Sequence, residues 1–154
     1  MGARLRPLRE DEFEVWRRRS REGYAQEMVE NGGFPEAEAR EKAHADFAKL
    51  LGDGLRTPGH AVFALEDDTS GDHVGTLWLA ERRHALAVYD VYVEEGLRGR
   101  GYGRAAMLLA EEEARRRGLG RVDLNVFARN AVARSLYRSL GYRERSVYMS
   151  KSLA

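Results

Sequence analysis

The chain has no cysteine in 154 residues, three prolines, and three lysines, Lys42, Lys49 and Lys151. The missing cysteines exclude disulfides, zinc–thiolate sites, iron–sulfur clusters and a cysteine nucleophile. Charge of one sign is missing too. The 26 Lys+Arg stand against 25 Asp+Glu, a net charge of +1, which argues against a globally basic nucleic-acid binder. Long apolar runs are absent: the longest is 105–110, far short of the ~18 residues a membrane span needs. The N-terminal stretch has basic residues but no apolar core of an export signal. The expectation is a cytoplasmic protein with no nucleic-acid and no membrane partner. The four histidines are isolated and show no metal-ligand spacing, so no metal site is expected.

What is present suits one folded domain over 1–154. Hydrophobics at 43% are too many for a disordered chain, and the length lies near the domain mode. A short strand is read over 3–8. Asp11 looks like a helix cap with Glu14 as its capping-box partner. Phe13, Trp16, Ser20, Tyr24 and Met28 then follow at helical spacing, and Asn31-Gly32-Gly33 stops the helix. Pro35 is placed at the first position of a second helix, with Ala39, Ala43, Phe47 and Leu50 as its buried stripe.

From His60 the period changes to that of strands. Segments 61–66, 73–81 and 85–93 read as an antiparallel meander. A glycine-rich loop leads to a helix over 103–117, where Glu111–Arg115, Glu112–Arg116 and Glu113–Arg117 have i,i+4 spacing. Val122, Leu124 and Val126 alternate as a strand. Asn130 caps a helix that runs to Leu140, and two short strands, 142–145 and 147–151, follow. The unit over 85–126 reads as a parallel βαβ crossover. The whole is an α/β chain with a mixed sheet and helices on both faces.

The chemistry concentrates in Arg98-Gly99-Arg100-Gly101-Tyr102-Gly103-Arg104. The loop joins a strand to a helix N-terminus and contains no acid. Free N–H groups and the helix dipole make such a terminus an anion site. Glycines admit close backbone approach, and arginines add charge. Neither a dinucleotide fingerprint nor a Walker loop fits the spacing.

Arg98-x-x-Gly101-x-Gly103 resembles the Arg/Gln-x-x-Gly-x-Gly/Ala signature of the GNAT superfamily of acyl-CoA N-acyltransferases. Leu124-Asn125-Val126, followed by Asn130-x-x-Ala133-x-x-x-Tyr137-x-x-x-Gly141-Tyr142, is similar to the superfamily's second half. The resemblance implies a three-layer α/β/α fold with a mostly antiparallel sheet of about six to seven strands, splayed at the cofactor site. It implies acetyl-CoA as co-substrate, an amine acceptor as the second substrate, and direct attack in a ternary complex. It places the pyrophosphate on the backbone N–H groups of the loop, Arg98, Gly99, Arg100, Gly101, Tyr102, Gly103 and Arg104. The pantetheine arm falls along Val91, Tyr92 and Val93, and Asn130 touches that arm. Tyr137 becomes the acid that protonates the departing thiolate, and a homodimer is a common arrangement.

The physics accords with these roles. A thiol has a reference pKa near 8.5 and a tyrosine near 10, so a hydroxyl in reach can protonate a thiolate. Asn130 and Tyr137 lie seven residues apart, about two helical turns, on one face. Asn130 equally suits a plain helix cap, and Tyr137 a core position. An amine must lose a proton before or during attack, and Asp90 is the leading candidate base. A carboxylate after Ala85-Leu86-Ala87-Val88-Tyr89 is unexpected in a plain core strand, although a solvent-facing acid is the ordinary alternative. Tyr92 shares its face by period two. Tyr24, Glu27 and Tyr92 are candidates for the acceptor pocket, Trp16 suits the core, and Arg17-Arg18-Arg19 reads as a solvated helix face. A non-catalytic acyl-CoA-binding sensor on the same fold is the alternative function.

Overall fold

The computed structural model describes residues 2–153. Strand β1 (Ala3–Pro7) leads into helices α1 (Glu10–Gly32) and α2 (Glu36–Leu50). Strands β2 (His60–Asp67), β3 (His73–Arg82) and β4 (Ala85–Val93) form the meander. Helix α3 (Tyr102–Arg116), strand β5 (Val122–Leu124) and helix α4 (Ala131–Ser139) follow. The sheet order is β1-β2-β3-β4-β5, antiparallel except for the parallel β4–β5 pair. No helix among the described residues is long and apolar enough to cross a membrane.

Alternation along β3 builds the three layers. Trp78 points to the α1–α2 side, where Trp16, Phe47 and Val62 are buried with it. Trp16 and Trp78 meet edge to face at 5.4 Å, a geometry that adds to their area burial. Leu77 and Leu79 point to the other side, against Met107, Ala110 and Ala114 of α3. Each such side chain contributes about 1.5–3 kcal/mol by leaving water.

Several local expectations shift. Helix α1 begins at an Arg9 cap, two residues before Asp11. Glu12 closes the box by accepting the Arg9 N–H at 2.8 Å. Arg6 of β1 explains the choice, since it grips both Glu12 oxygens at 3.0 and 3.1 Å. That bond, above all, holds the Glu12 carboxyl down at about 2. Pro35 is the cap of α2 and precedes its first turn, and Leu51 is more buried than Leu50. In α3, Arg117 pairs with Glu113 as expected, but Arg116 also turns to Glu113 and leaves Glu112. Strand β5 stops at Leu124 before Val126. The segments 142–145 and 147–151 form no strands, so the sheet has five strands where six to seven were expected. Among the described residues, neither segment is paired with a strand.

Two features of the sheet prepare a site. Strand β4 carries a bulge: Trp78 pairs with Asp90 and Leu79 with Val88, so Tyr89 is extra. A bulge bends a strand and re-aims its side chains. Here it turns both Tyr89 and Asp90 toward the α1 side, Tyr89 against Trp78 at 5.0 Å and Asp90 toward Ser20. Strands β4 and β5 pair only at Leu86–Val122, Ala87–Asp123 and Val88–Leu124. Past Val88 they part.

A second polar pin fixes the start of α3. The buried Tyr102 hydroxyl donates to Asp67 Oδ2 at 2.7 Å. Asp67 also accepts the N–H groups of Thr69 and Ser70 at 2.8 and 2.9 Å. The Ser70 amide, then Tyr102, then the Thr69 amide hold its carboxyl down at about 2, against the usual 3.8. The stabilisation from this shift is present above pH 3.8 and lost as pH falls through about 2. Tyr102→Phe is expected to lower the melting temperature at neutral pH by roughly 2–6 °C. The deficit should narrow between pH 4 and 2, as thermal melts of both proteins across that range would show.

Candidate active site

The parting of β4 and β5 opens a V-shaped cavity of about 160 Å³. Val88, Tyr89, Asp90 and Val91 form one wall, and Leu124, Asn125 and Val126 the other. Asn130, Ala133 and Tyr137 of α4 close one end, and Glu27 of α1 reaches in from the other face of the sheet. The expected catalytic pair, Tyr137 and Asp90, thus lies on one opening, together with Val91, Asn130 and Glu27.

The loop beside this opening is shaped by backbone conformation. Gly99 and Gly101 have φ of 79° and 91°, values that side chains with a Cβ rarely adopt. A Cβ added at either would meet nothing within 4 Å, so the loop's outer face is open. Gly101 caps α3, and the first helical bond runs from the Ala105 N–H to the Gly101 carbonyl at 3.0 Å. Among the described residues, the N–H groups of Tyr102, Gly103 and Arg104 have no hydrogen-bond partner. The first turn of α3 holds no acid, whereas α1 places Glu10, Asp11 and Glu12 there. The positive partial charge of the α3 terminus is therefore not offset by an acid in its own first turn.

The three loop arginines have different tasks. Arg98 folds back, its Nε donating to the Val93 carbonyl at 2.9 Å and its guanidinium 5.3 Å from the Tyr92 ring. Arg104 reaches α4 and donates to Ser139 Oγ at 2.7 Å. Arg100 is exposed. The Tyr102 side chain is turned into the core toward Asp67, so only its main chain faces the loop.

Tyr137 is half-buried, and burial, then the negative Glu27 and Asp90, push its pKa above the usual 10. The hydroxyl therefore stays protonated at neutral pH. Asp90 Oδ2 accepts from Ser20 Oγ at 2.8 Å and pairs with Arg19 at 3.0 Å. Arg19 also donates to Thr76 Oγ1 at 3.2 Å and stacks 3.7 Å over the Tyr92 ring. Arg19 is thus no part of a solvated face. Asn130 does cap α4, its Oδ1 accepting from the Ala133 N–H at 3.2 Å. Its amide nitrogen donates to Glu27 Oε1 at 3.0 Å, so both ends of that side chain are engaged inside the protein. Tyr24 stands away from the opening. Its hydroxyl donates to Asp46 at 3.0 Å, and burial followed by that bond pushes its pKa up to about 12.

Sequence reasoning did not single out Arg19 and Ser20 as site residues. A polar Ser20 within the apolar stripe of α1 was the available signal. Arg19 carried none, because its partner Asp90 lies 71 residues away.

A profile of the acetyltransferase (GNAT) family matches residues 8–142. The chain is 35% identical over 157 residues to the uncharacterized N-acetyltransferase YycN of Bacillus subtilis (strain 168), covering 99% of this chain and 100% of that one. It is 31% identical to the uncharacterized N-acetyltransferase YdgE of the same organism, over 99% of both. The crystal structure of B. subtilis YycN superposes with a TM-score of 0.91 over 99% of each chain at 33% identity. The PaiA N-acetyltransferase of Thermoplasma acidophilum, solved with coenzyme A, shares the fold with a TM-score of 0.73 at 18% identity over 96% of this chain and 94% of that one. With the split sheet and the glycine loop in place, the chain belongs to the GNAT acetyltransferase family.

Proposed function

We propose that the protein transfers an acetyl group from acetyl-CoA to a primary amine within a ternary complex. One observation carries the reading: an acid-free helix N-terminus with free N–H groups adjoins a cavity that holds a protonated tyrosine and a carboxylate. The α3 terminus and the Gly99–Gly101 backbone would bind the pyrophosphate, with Arg100 adding charge. The unpaired edge of β4 past Val88 offers main-chain groups to an extended pantetheine arm, as in strand addition. The same parted edge leaves N–H groups near the carbonyl that becomes an oxyanion. Arg98 acts by holding the end of β4, and Asn130 by fixing Glu27 across the cavity.

In the transfer, the amine nitrogen forms a bond to the thioester carbon, and the carbon–sulfur bond then breaks. The departing sulfur takes a proton from Tyr137, and the amine gives one up. Arg19 and Ser20 both donate to Asp90 Oδ2, so Oδ1 is the oxygen that takes the amine proton, directly or through water. Glu27 offers a negative wall to an acceptor that arrives as an ammonium. With no cysteine in the chain, no Cys-bound acyl intermediate forms. Holding both substrates in the V lowers the entropic part of the barrier.

Acetyl-CoA at 100 times its dissociation constant is expected to raise the melting temperature by about 5–10 °C, and scanning fluorimetry tests this. Gly101→Asp, which adds a charge at the anion site and strains φ, should abolish that rise while far-UV circular dichroism stays unchanged. Tyr137→Phe should lower kcat roughly 10- to 100-fold with little change in acetyl-CoA affinity. Thiol-release assays over an amine panel, paired with calorimetry, read both effects. Full turnover in the phenylalanine variant, with chemistry rate-limiting, would remove the tyrosine from the reaction.

A further inference from the structure

The two carboxylates that line the cavity, Asp90 and Glu27, are balanced differently. Asp90 pairs with Arg19 at 3.0 Å, so its charge is answered from within the protein. Glu27 forms no ion pair among the described residues. Its side-chain partner is the neutral amide of Asn130, which donates to Oε1 at 3.0 Å. Asn130 is itself held, because its Oδ1 accepts from the Ala133 N–H at 3.2 Å. The amide nitrogen must therefore face Glu27, and Glu27 is fixed with Oε2 free. None of the residues lining the cavity is basic. A half-buried carboxylate without a cation is costly. A fixed one is a ready partner for a cation that arrives from outside.

The charge pattern of the whole chain points the same way. Residues 98–154, which contain the glycine loop and α4, hold 13 Lys+Arg and 5 Asp+Glu, whereas residues 1–97 hold 13 and 20. The net charge of +1 thus conceals a positive part and a negative part. Around Glu27, residues 22–46 carry seven acids against Arg40 and Lys42. Both of these cations are taken by acids of α2 itself, Glu36 and Asp46. The part of the chain that supplies Glu27 attracts cations, and the part that supplies the loop attracts anions.

We propose that the acceptor is a small aliphatic amine with a second ammonium group and no carboxylate near the reacting nitrogen, and that Glu27 selects it by pairing with that second ammonium. The assignment rests on the transfer reading above. The reacting nitrogen gives up its proton, and Asp90 takes it. A further carboxylate on that same nitrogen would favour the ammonium form and oppose attack. Glu27 therefore serves a nitrogen that keeps its charge throughout, as an aliphatic amine with a reference pKa near 10.4 does at neutral pH. A carboxylate beside the amine, as in a free amino acid, would meet Glu27 and Asp90 with no basic side chain in the cavity to receive it. The cavity of about 160 Å³ also limits size. A void of about 150 Å³ holds one benzene, so a space shared with the thioester admits a slim, unbranched chain.

Diaminobutane, butylamine and γ-aminobutyrate test the assignment, because they have equal carbon chains that end in an ammonium, a methyl or a carboxylate. In thiol-release assays with acetyl-CoA, diaminobutane is expected to show a kcat/KM roughly 10- to 100-fold above butylamine. The difference should lie in KM, and γ-aminobutyrate should be the poorest of the three. Glu27→Gln keeps an oxygen for Asn130 and removes the charge, so it should bring the diaminobutane-to-butylamine ratio close to one. The acetyl-CoA thermal shift of that variant reports its folding. Calorimetry of the same amines against the unmodified protein, with coenzyme A present, gives their order of affinity without turnover. No binding of diaminobutane, equal affinity for butylamine, preference for γ-aminobutyrate or for a lysine peptide, or a ratio retained in Glu27→Gln would each overturn the selection. Absence of thiol release with every amine, alongside the expected order of affinities, would strike the transfer reading and leave Glu27 as the cation site.

Discussion

The parting of β4 from β5 is the constraint on which the rest of the structure depends. Three parallel residue pairs join the strands, and past Val88 and Leu124 the ladder ends. The bulge at Tyr89 accompanies the split, since an extra residue on one strand bends it and raises its twist. A continued ladder would have consumed the main-chain groups of Asp90 to Val93 and filled the cavity. Apolar layers on both faces keep the rest of the sheet rigid, with the Trp16–Trp78 contact on one side and Met107 against Leu77 and Leu79 on the other. The gap is therefore a fixed opening in a packed frame, the condition for holding two substrates in reacting geometry.

Polar pins at the rim hold the parts that border this gap. Asp67–Tyr102 fastens the end of β2 to the first residue of α3 and so orients the free N–H groups. Glu27–Asn130 ties α1 to the cap of α4 across the cavity. Arg19 and Ser20 fix Asp90 from α1. Each pin joins residues far apart in sequence, and each has a charged partner, which makes these bonds stronger than neutral ones. They convert a flexible set of termini into one constellation.

Local patterns read well in the sequence, and long-range partners did not. The meander, the βαβ crossover and the Asn130 cap are carried by alternation, turn residues and side-chain chemistry within a few positions. The positive-φ turns at Gly99 and Gly101 follow from glycine spacing, which is a local fact. The cap of α1 moved to Arg9 because Arg6, on a neighbouring strand, claims Glu12. Arg19 looked like part of a solvated run until Asp90, Thr76 and Tyr92 came to meet it. The internal partners of the Tyr102 and Asn130 side chains, Asp67 and Glu27, lie 35 and 103 residues away and are invisible to local pattern. The bulge at Tyr89 leaves no mark in alternation, since one extra residue is invisible without the partner strand. The segment 147–151 reads as a strand in the sequence but forms none, because a strand needs a partner that local pattern does not supply.

The loop over 98–104 and the parted edge of β4 are proposed to form one acyl-CoA site together. Backbone amide NMR of the 17.5 kDa chain, titrated with acetyl-CoA, tests it most directly. The largest shift changes should fall on Gly99, Gly101 and the first turn of α3, with a second group at Val91 and Val93. Saturable changes centred elsewhere, with both groups unmoved, would contradict it.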